Sequence, residues 1–259
     1  MVDTIKVWSE VLNTTILLKV VVPDRVSSQK LMILLHGKME PELSTELLEL
    51  LPEELALEEL SNEFGMAVVI PLMENRYYIS TKDYDCNRFV SWELPNLVMN
   101  KYDISDSVEQ ILAGVSMGGF GATLIGARTG AFQKIISISG AYIANDVKIG
   151  NPEVWGNLLP NSQRLNKSFL YYFLPLEDLE QSIDRNALAA LPLFQKDKTV
   201  IVATCGTKDW LYPRNLKLVE EMENNRLQFK FYPLENGDHE AECFKDGLRK
   251  AIEYLEALE

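Results

Sequence analysis

Ser116 stands in Gly114-Val115-Ser116-Met117-Gly118, followed by another glycine at 119 and preceded by the apolar run Ile111 to Val115. A serine flanked by glycines at this spacing suits a strand-to-helix turn so tight that any side chain two positions away would collide with a neighbouring element. Such a turn raises the hydroxyl clear of the sheet, where it can act as a nucleophile. By average residue frequencies the bare pattern arises by chance in roughly one chain in ten of this length. Its weight therefore comes from context, an apolar strand before it and the helical pattern Phe120 to Arg128 after it. A serine nucleophile needs a base, and histidine serves because it titrates near neutrality. The chain offers two histidines. His239, in Asn236-Gly237-Asp238-His239-Glu240, falls after the last expected strand and before the C-terminal helix, in the chain order serine, acid, histidine.

The acid must reach the imidazole from a loop after a late strand, fix its tautomer and stabilise the imidazolium. Asp209 meets this requirement, since it follows the run Thr199 to Cys205 through Gly206-Thr207-Lys208. Asp238 and Glu240 are rivals, but a residue adjacent to His239 in sequence has poor geometry for its ring. Acyl transfer builds negative charge on a carbonyl oxygen, and two backbone N–H groups are the usual means of stabilising it. Met117 supplies one by position, and Lys38, after His36-Gly37, is the candidate for the second. Gly37 lets that backbone approach a substrate. His36, Tyr77, Tyr78 and Trp210 are candidate substrate-binding residues. Two histidines are too few for a His-rich catalytic metal site, so no such metal site is expected.

These residues must be held by a sheet. Ile5 to Val11 and Thr15 to Val22 read as an antiparallel edge hairpin turning at Leu12-Asn13-Thr14. Lys30 to Leu35, Met66 to Ile70, Gln110 to Val115, Lys134 to Ser139, Thr199 to Cys205 and Gln228 to Tyr232 are short apolar runs of the kind buried on both faces. Helical patterns separate most of them, which predicts a doubly wound, mostly parallel α/β sheet. Glu42 to Glu63 carries leucines at helical spacing, with a boundary expected at Pro52. Met73 to Phe89 and Ala141 to Lys198 break the strand rhythm and are expected at the rim of the site. The second, about 141–198, reads as a helical cap insertion containing Trp155, Tyr171, Tyr172 and Phe173.

Length and composition set the outer limits. At 259 residues, 47% hydrophobic and 24% charged, the chain fits one globular domain, residues 1–259. A net charge of −13 argues against a nucleic-acid partner. No run approaches the length of a membrane span, and the first residues lack the pattern of an export signal. Cys86, Cys205 and Cys243 are odd in number and far apart, as in a reducing compartment, so cytoplasmic localisation is the expectation. The expected partner is a small-molecule ester; self-association is left open.

The chain resembles the esterase D-like branch of the α/β-hydrolases, and within it the small bacterial tributyrin-esterase-type acyl esterases. The resemblance rests on Ile33-Leu34-Leu35-His36-Gly37, Ala67-Val68-Val69-Ile70-Pro71, Arg76-Tyr77-Tyr78, Glu93-Leu94-Pro95, Ser139-Gly140 and Cys205 to Tyr212. Its most specific part is Ser116-Met117-Gly118-Gly119-Phe120-Gly121-Ala122. It implies the α/β-hydrolase fold and a cofactor-free hydrolase of short acyl esters, acetyl esters of sugars among them, and carries the same triad and oxyanion donors. Where relatives continue His-Gly with further glycines, this chain has Lys38-Met39-Glu40-Pro41. Acyl transfer to an alcohol or amine and S-formylglutathione hydrolysis are the alternatives within the fold. A non-catalytic binding protein is the alternative outside enzymology.

Overall fold

The computed structural model describes residues 1–24, 30–40, 42–149 and 172–258, with 148 and 149 in backbone alone. β1 (Val2–Ser9) and β2 (Thr14–Val21) form an antiparallel pair, Val2 opposite Val21 and Ser9 opposite Thr14. β3 (Lys30–Leu35) and β4 (Met66–Pro71) are buried at every position, as strands covered on both faces must be. β5 (Glu109–Val115), β6 (Lys134–Ile138), β7 (Val200–Gly206) and β8 (Gln228–Leu234) complete the sheet in the order β1-β2-β4-β3-β5-β6-β7-β8. Strands β3 to β8 run parallel, and β2 pairs antiparallel with both β1 and β4.

Two apolar cores lie against this sheet. On one face, α1 (Ser44–Glu54) and α2 (Leu57–Phe64) contribute Leu48, Leu57 and Leu60. The other face is covered by a helical stretch, α3 (Cys86–Arg88), a π-helical turn at Phe89–Glu93 and α4 (Leu94–Tyr102), and by α5 (Met117–Thr129). α6 (Ala144–Ile149), α7 (Ala187–Ala190) and α8 (Tyr212–Asn224) follow. The last helix, α9 (Ala241–Glu256), returns to the first face and buries Leu248, Ala251, Ile252 and Leu255, an apolar stripe at helical spacing.

The edge hairpin turns two residues earlier than its residue types suggest. Glu93, buried in the π-helical turn, accepts the Ser9 hydroxyl and the N–H of Glu10 at 2.7 Å, so a carboxylate remote in sequence sets where β1 ends. The boundary expected at Pro52 is also displaced. Pro52 sits inside the last turn of α1 and the chain breaks at Ala56, in the left-handed region at φ 51°. Burial of Leu48 and Pro52 offsets the backbone hydrogen bond that proline forgoes. Met73 to Phe89 is more than a rim segment, because Tyr77, Tyr78, Ile79, Tyr84 and Cys86 are all buried in the core. The described ends of the insertion between β6 and β7 are likewise docked, burying Phe173, Leu179, Ala187 and Leu191 in that same core. Trp155 and Tyr171 lie outside the described residues.

Close approach of backbone to backbone makes glycine obligatory at two places. A Cβ on Gly114 would lie 2.0 Å from the Gly118 carbonyl oxygen, and one on Gly118 would lie 1.9 Å from that of Leu35. Both contacts are with backbone, which cannot rotate away. We expect Gly118→Ala to cost about 3 kcal/mol, at the upper end of overpacking effects, and to lower Tm by about 6–12 °C for a chain of this size. Thermal unfolding followed by circular dichroism checks this; an unchanged Tm would show that β3 and α5 can separate freely.

Candidate active site

Ser116 occupies the turn between β5 and α5 with φ 55° and ψ −114°, a conformation that costs of order 1–3 kcal/mol for a residue other than glycine. Neighbouring backbone holds it there. Its N–H donates to the Ile138 carbonyl at 2.8 Å, and its carbonyl accepts from Ala141 N–H at 3.0 Å. Strand β6 and the chain leaving it therefore clamp both sides of the turn.

The loops carrying Asp209 and His239 are joined along their length. Thr207 N–H donates to Leu234 O at 3.0 Å, Lys208 N–H to Gly237 O at 2.9 Å, and Asn236 N–H to the Thr207 hydroxyl at 2.9 Å. The Asp209 side chain is fully buried. One carboxylate oxygen accepts Leu211 N–H at 2.8 Å, and the other faces His239 Nδ1 at 2.8 Å. Burial by itself pushes this carboxyl up. The hydrogen bond from His239, its charge and the Leu211 N–H outweigh burial and hold it below the ordinary carboxylate range.

His239 Nε2 lies 3.1 Å from Ser116 Oγ, so the serine, the imidazole and the carboxylate form one line of hydrogen bonds. The Asp209 carboxylate keeps the proton on Nδ1, which leaves Nε2 free to accept from the serine hydroxyl. The ring is held edge to face by Phe244, centroids 5.0 Å apart, and Trp210, 6.0 Å apart. Of the sequence rivals, Asp238 uses its carboxylate on the His239 backbone N–H at 2.7 Å, and Glu240 is exposed.

Both candidate oxyanion donors border the serine. Met117 is the first residue of α5, where helix geometry gives an N–H no intrahelical partner. Gly37 passes so close that a Cβ on it would touch Ser116 Cβ at 3.4 Å, which brings the Lys38 backbone alongside. Burial pushes the Lys38 ammonium down, with Glu40 opposing the shift.

A cavity of about 360 Å³ opens over Ser116 and His239, and His36, Lys38, Tyr77 and Trp210 contribute to its lining. Both ring nitrogens of His36 are engaged by backbone. Its Nε2 accepts Met73 N–H at 2.9 Å, so its Nδ1–H donates to Gly37 O at 2.6 Å, and burial pushes its pKa down, favouring the neutral ring. This ring ties down the loop that carries Lys38. Tyr77 is packed against Phe120 and Phe173. Tyr78, expected at the pocket, is not brought to its wall; it is buried and its hydroxyl donates to His36 O at 3.0 Å.

Several residues at the site carry no signal in the motifs. Buried Asn215 in α8 donates to Gly140 O and Leu211 O, each at 3.0 Å, and so ties the end of β6 to the acid loop. Arg214 donates to Trp210 O at 2.8 Å and pairs with Asp146 of α6 at 3.2 Å. Leu47 and Leu51 of α1 and Leu55, just after its end, line the cavity with Phe244 of α9. Their sequence signal is that leucines fall on more than one face of α1. The cysteines are buried, and burial pushes the thiols of Cys86 and Cys243 up to about 12 and about 11. Thiolate character, which nucleophilic sulfur requires, is thereby suppressed. Among the described residues, no three His, Cys, Asp or Glu side chains converge as a metal would need, and no helix is long and apolar enough to cross a membrane.

Comparisons with known proteins agree with this architecture. The Esterase family model, "Putative esterase", matches residues 9–251. No curated protein matches the chain significantly. Among solved structures, an S-formylglutathione hydrolase of Staphylococcus aureus superposes with a TM-score of 0.76 at 18% identity, covering 98% of each chain. A ferulic acid esterase gives 0.67 at 21% identity over 96% of this chain and 95% of its own. An S-formylglutathione hydrolase of Agrobacterium tumefaciens gives 0.69 at 16% identity over 98% and 95%. At these identities the structures share the fold, and the family match over nearly the whole length carries the assignment: the chain belongs to the Esterase family and is a carboxylic ester hydrolase with the α/β-hydrolase fold.

Proposed function

We propose that this esterase hydrolyses esters of short acyl groups through an acyl-enzyme, with Ser116 as nucleophile, His239 as base and Asp209 as the orienting acid. The observation that carries this reading is the unbroken line from Asp209 through both ring nitrogens of His239 to Ser116 Oγ. His239 Nε2 takes the serine proton as Oγ attacks the ester carbonyl. The N–H groups of Met117 and Lys38 hold the developing oxyanion. The bond to the alcohol oxygen then breaks, and His239 Nε2 gives its proton to that oxygen. Water, deprotonated by the same nitrogen, attacks the acyl carbon, releases the acid and returns Ser116 to its starting form. The absence of any step that calls for an external electron or metal is a property of this reaction class and fits a cofactor-free enzyme.

The test is a p-nitrophenyl ester series from acetyl to octanoyl, run beside fluorophosphonate labelling. We expect turnover falling with acyl length and one phosphonyl group per chain, on Ser116. Neither turnover nor label would favour a binding protein on this fold. Label without turnover, relieved by adding an alcohol, would favour acyl transfer. S-formylglutathione belongs in the same panel because two of the fold neighbours hydrolyse it by name.

A further inference from the structure

Part of the cavity's lining is not explained by the triad. Besides Ser116 and His239 it includes Leu47 and Leu51 of α1, Leu55 just after that helix, and Ala241 and Phe244 at the start of α9. Leu47, Leu51 and Phe244 are half-buried, Leu51 and Phe244 packing against the core on one side and bordering the cavity with Leu47. Carboxylates stand at the mouth, Glu54 from α1 and Glu240 from the His239 loop, both exposed.

Resting on the triad reading above, we propose that this part of the cavity is a channel that receives the leaving alcohol of the ester, and that the alcohol is an uncharged alkyl or aryl one. The placement follows from the proton. The leaving oxygen must sit within hydrogen-bond reach of His239 Nε2 when the carbonyl–oxygen bond breaks, and the cavity borders that ring, against which Phe244 packs edge to face. The bond that forms joins Ser116 Oγ to the acyl carbon. The proton that His239 removed from the serine leaves with the alcohol, so atoms and charge balance. The chemical class follows from the walls. A sugar would bring several hydroxyls into a channel lined by leucine, alanine and phenylalanine, and each hydroxyl losing water without a partner is costly. An anionic thiol such as glutathione would meet Glu54 and Glu240 at the mouth. An alkyl chain gains at every methylene it buries, about threefold to fourfold in affinity for each.

Two ester series of matched reactivity test this. In the first, acetate is fixed and the alcohol runs from ethanol through butanol to hexanol; in the second, ethanol is fixed and the acid is lengthened equally. We expect kcat/KM to rise at least about tenfold from ethyl to hexyl acetate, from the same gain per methylene, and no such rise from ethyl acetate to ethyl hexanoate. Leu51→Trp and Leu47→Trp, each filling the channel, should abolish the rise, with rates normalised to Ser116 labelled by a small fluorophosphonate. A rise in the acid series that these variants abolish would assign the channel to the acyl group and overturn the proposal, as would no rise in either series. Hexanol binding to Ser116→Ala, read by tryptophan fluorescence, needs no catalysis. Saturable binding that Leu51→Trp removes supports the channel even if the triad reading fails, and no binding overturns the channel even if the triad reading stands. Should Leu51→Trp fold poorly by circular dichroism, the wild-type series and Leu47→Trp carry the decision.

Discussion

Ser116→Ala is expected to lower kcat on p-nitrophenyl acetate by about 10⁵-fold or more, the scale seen when a serine nucleophile is removed from an intact triad. The size follows from what remains. No neighbouring group can replace the hydroxyl, since burial suppresses the thiolate form of the nearby Cys243 and the histidine at position 36 has both ring nitrogens bound to backbone. Residual turnover comes from the two oxyanion donors and from water activated by His239, which together leave about 10³–10⁴-fold over the uncatalysed rate. The alanine also relaxes nothing in the fold, because the clamp on residue 116 is made by its backbone N–H and carbonyl. Stopped turnover with an unchanged melting temperature is therefore the expected pair of results. Activity within tenfold of wild type would remove Ser116 from the mechanism.

Asp209→Asn is expected to lower kcat by about 10⁴-fold while leaving KM nearly unchanged. Asparagine fits the same space, and its carbonyl can still accept Leu211 N–H. Its amide N–H₂ then faces His239 Nδ1, which must become the acceptor, and the proton moves to Nε2, where it points at Ser116 Oγ and blocks the transfer. The same substitution has a pH signature in stability. Asp209 has a folded pKa below its unfolded value of about 3.9. Its ionised form therefore contributes stability fully above pH ~4, and that contribution is lost as pH falls through the depressed folded value. We expect the gap between wild type and variant in urea unfolding to be widest near neutrality and to narrow below pH ~4. A gap independent of pH down to pH 2 would mean that the carboxylate is not held by the imidazole.

The chain's motifs marked the candidate nucleophile because the turn that carries it depends on local geometry. The turn at Ser116 needs glycines at 114 and 118 for contacts within a strand–turn–helix unit and the adjacent strand, and the only spacing that satisfies those contacts is visible in the chain itself. The apolar runs of β3 to β7 announce a parallel sheet for a similarly local reason, that both faces of each strand are covered. What tertiary structure decided is everything set by residues far apart in sequence. Glu93 moves the turn of the edge hairpin across more than eighty positions. Tyr78 looked like a pocket residue, yet burial under α5 turns it into a support for the His36 backbone. Asn215 joins β6 to the acid loop across a separation of 75 positions. Leucines fall on more than one face of α1, but only the packing of α1 beside α9 makes Leu47 and Leu51, with Leu55 just after the helix, part of a cavity wall shared with His239. Local sterics are written into short stretches of sequence, whereas the partner of a buried polar group or the exposed side of an apolar helix is fixed only when distant segments meet.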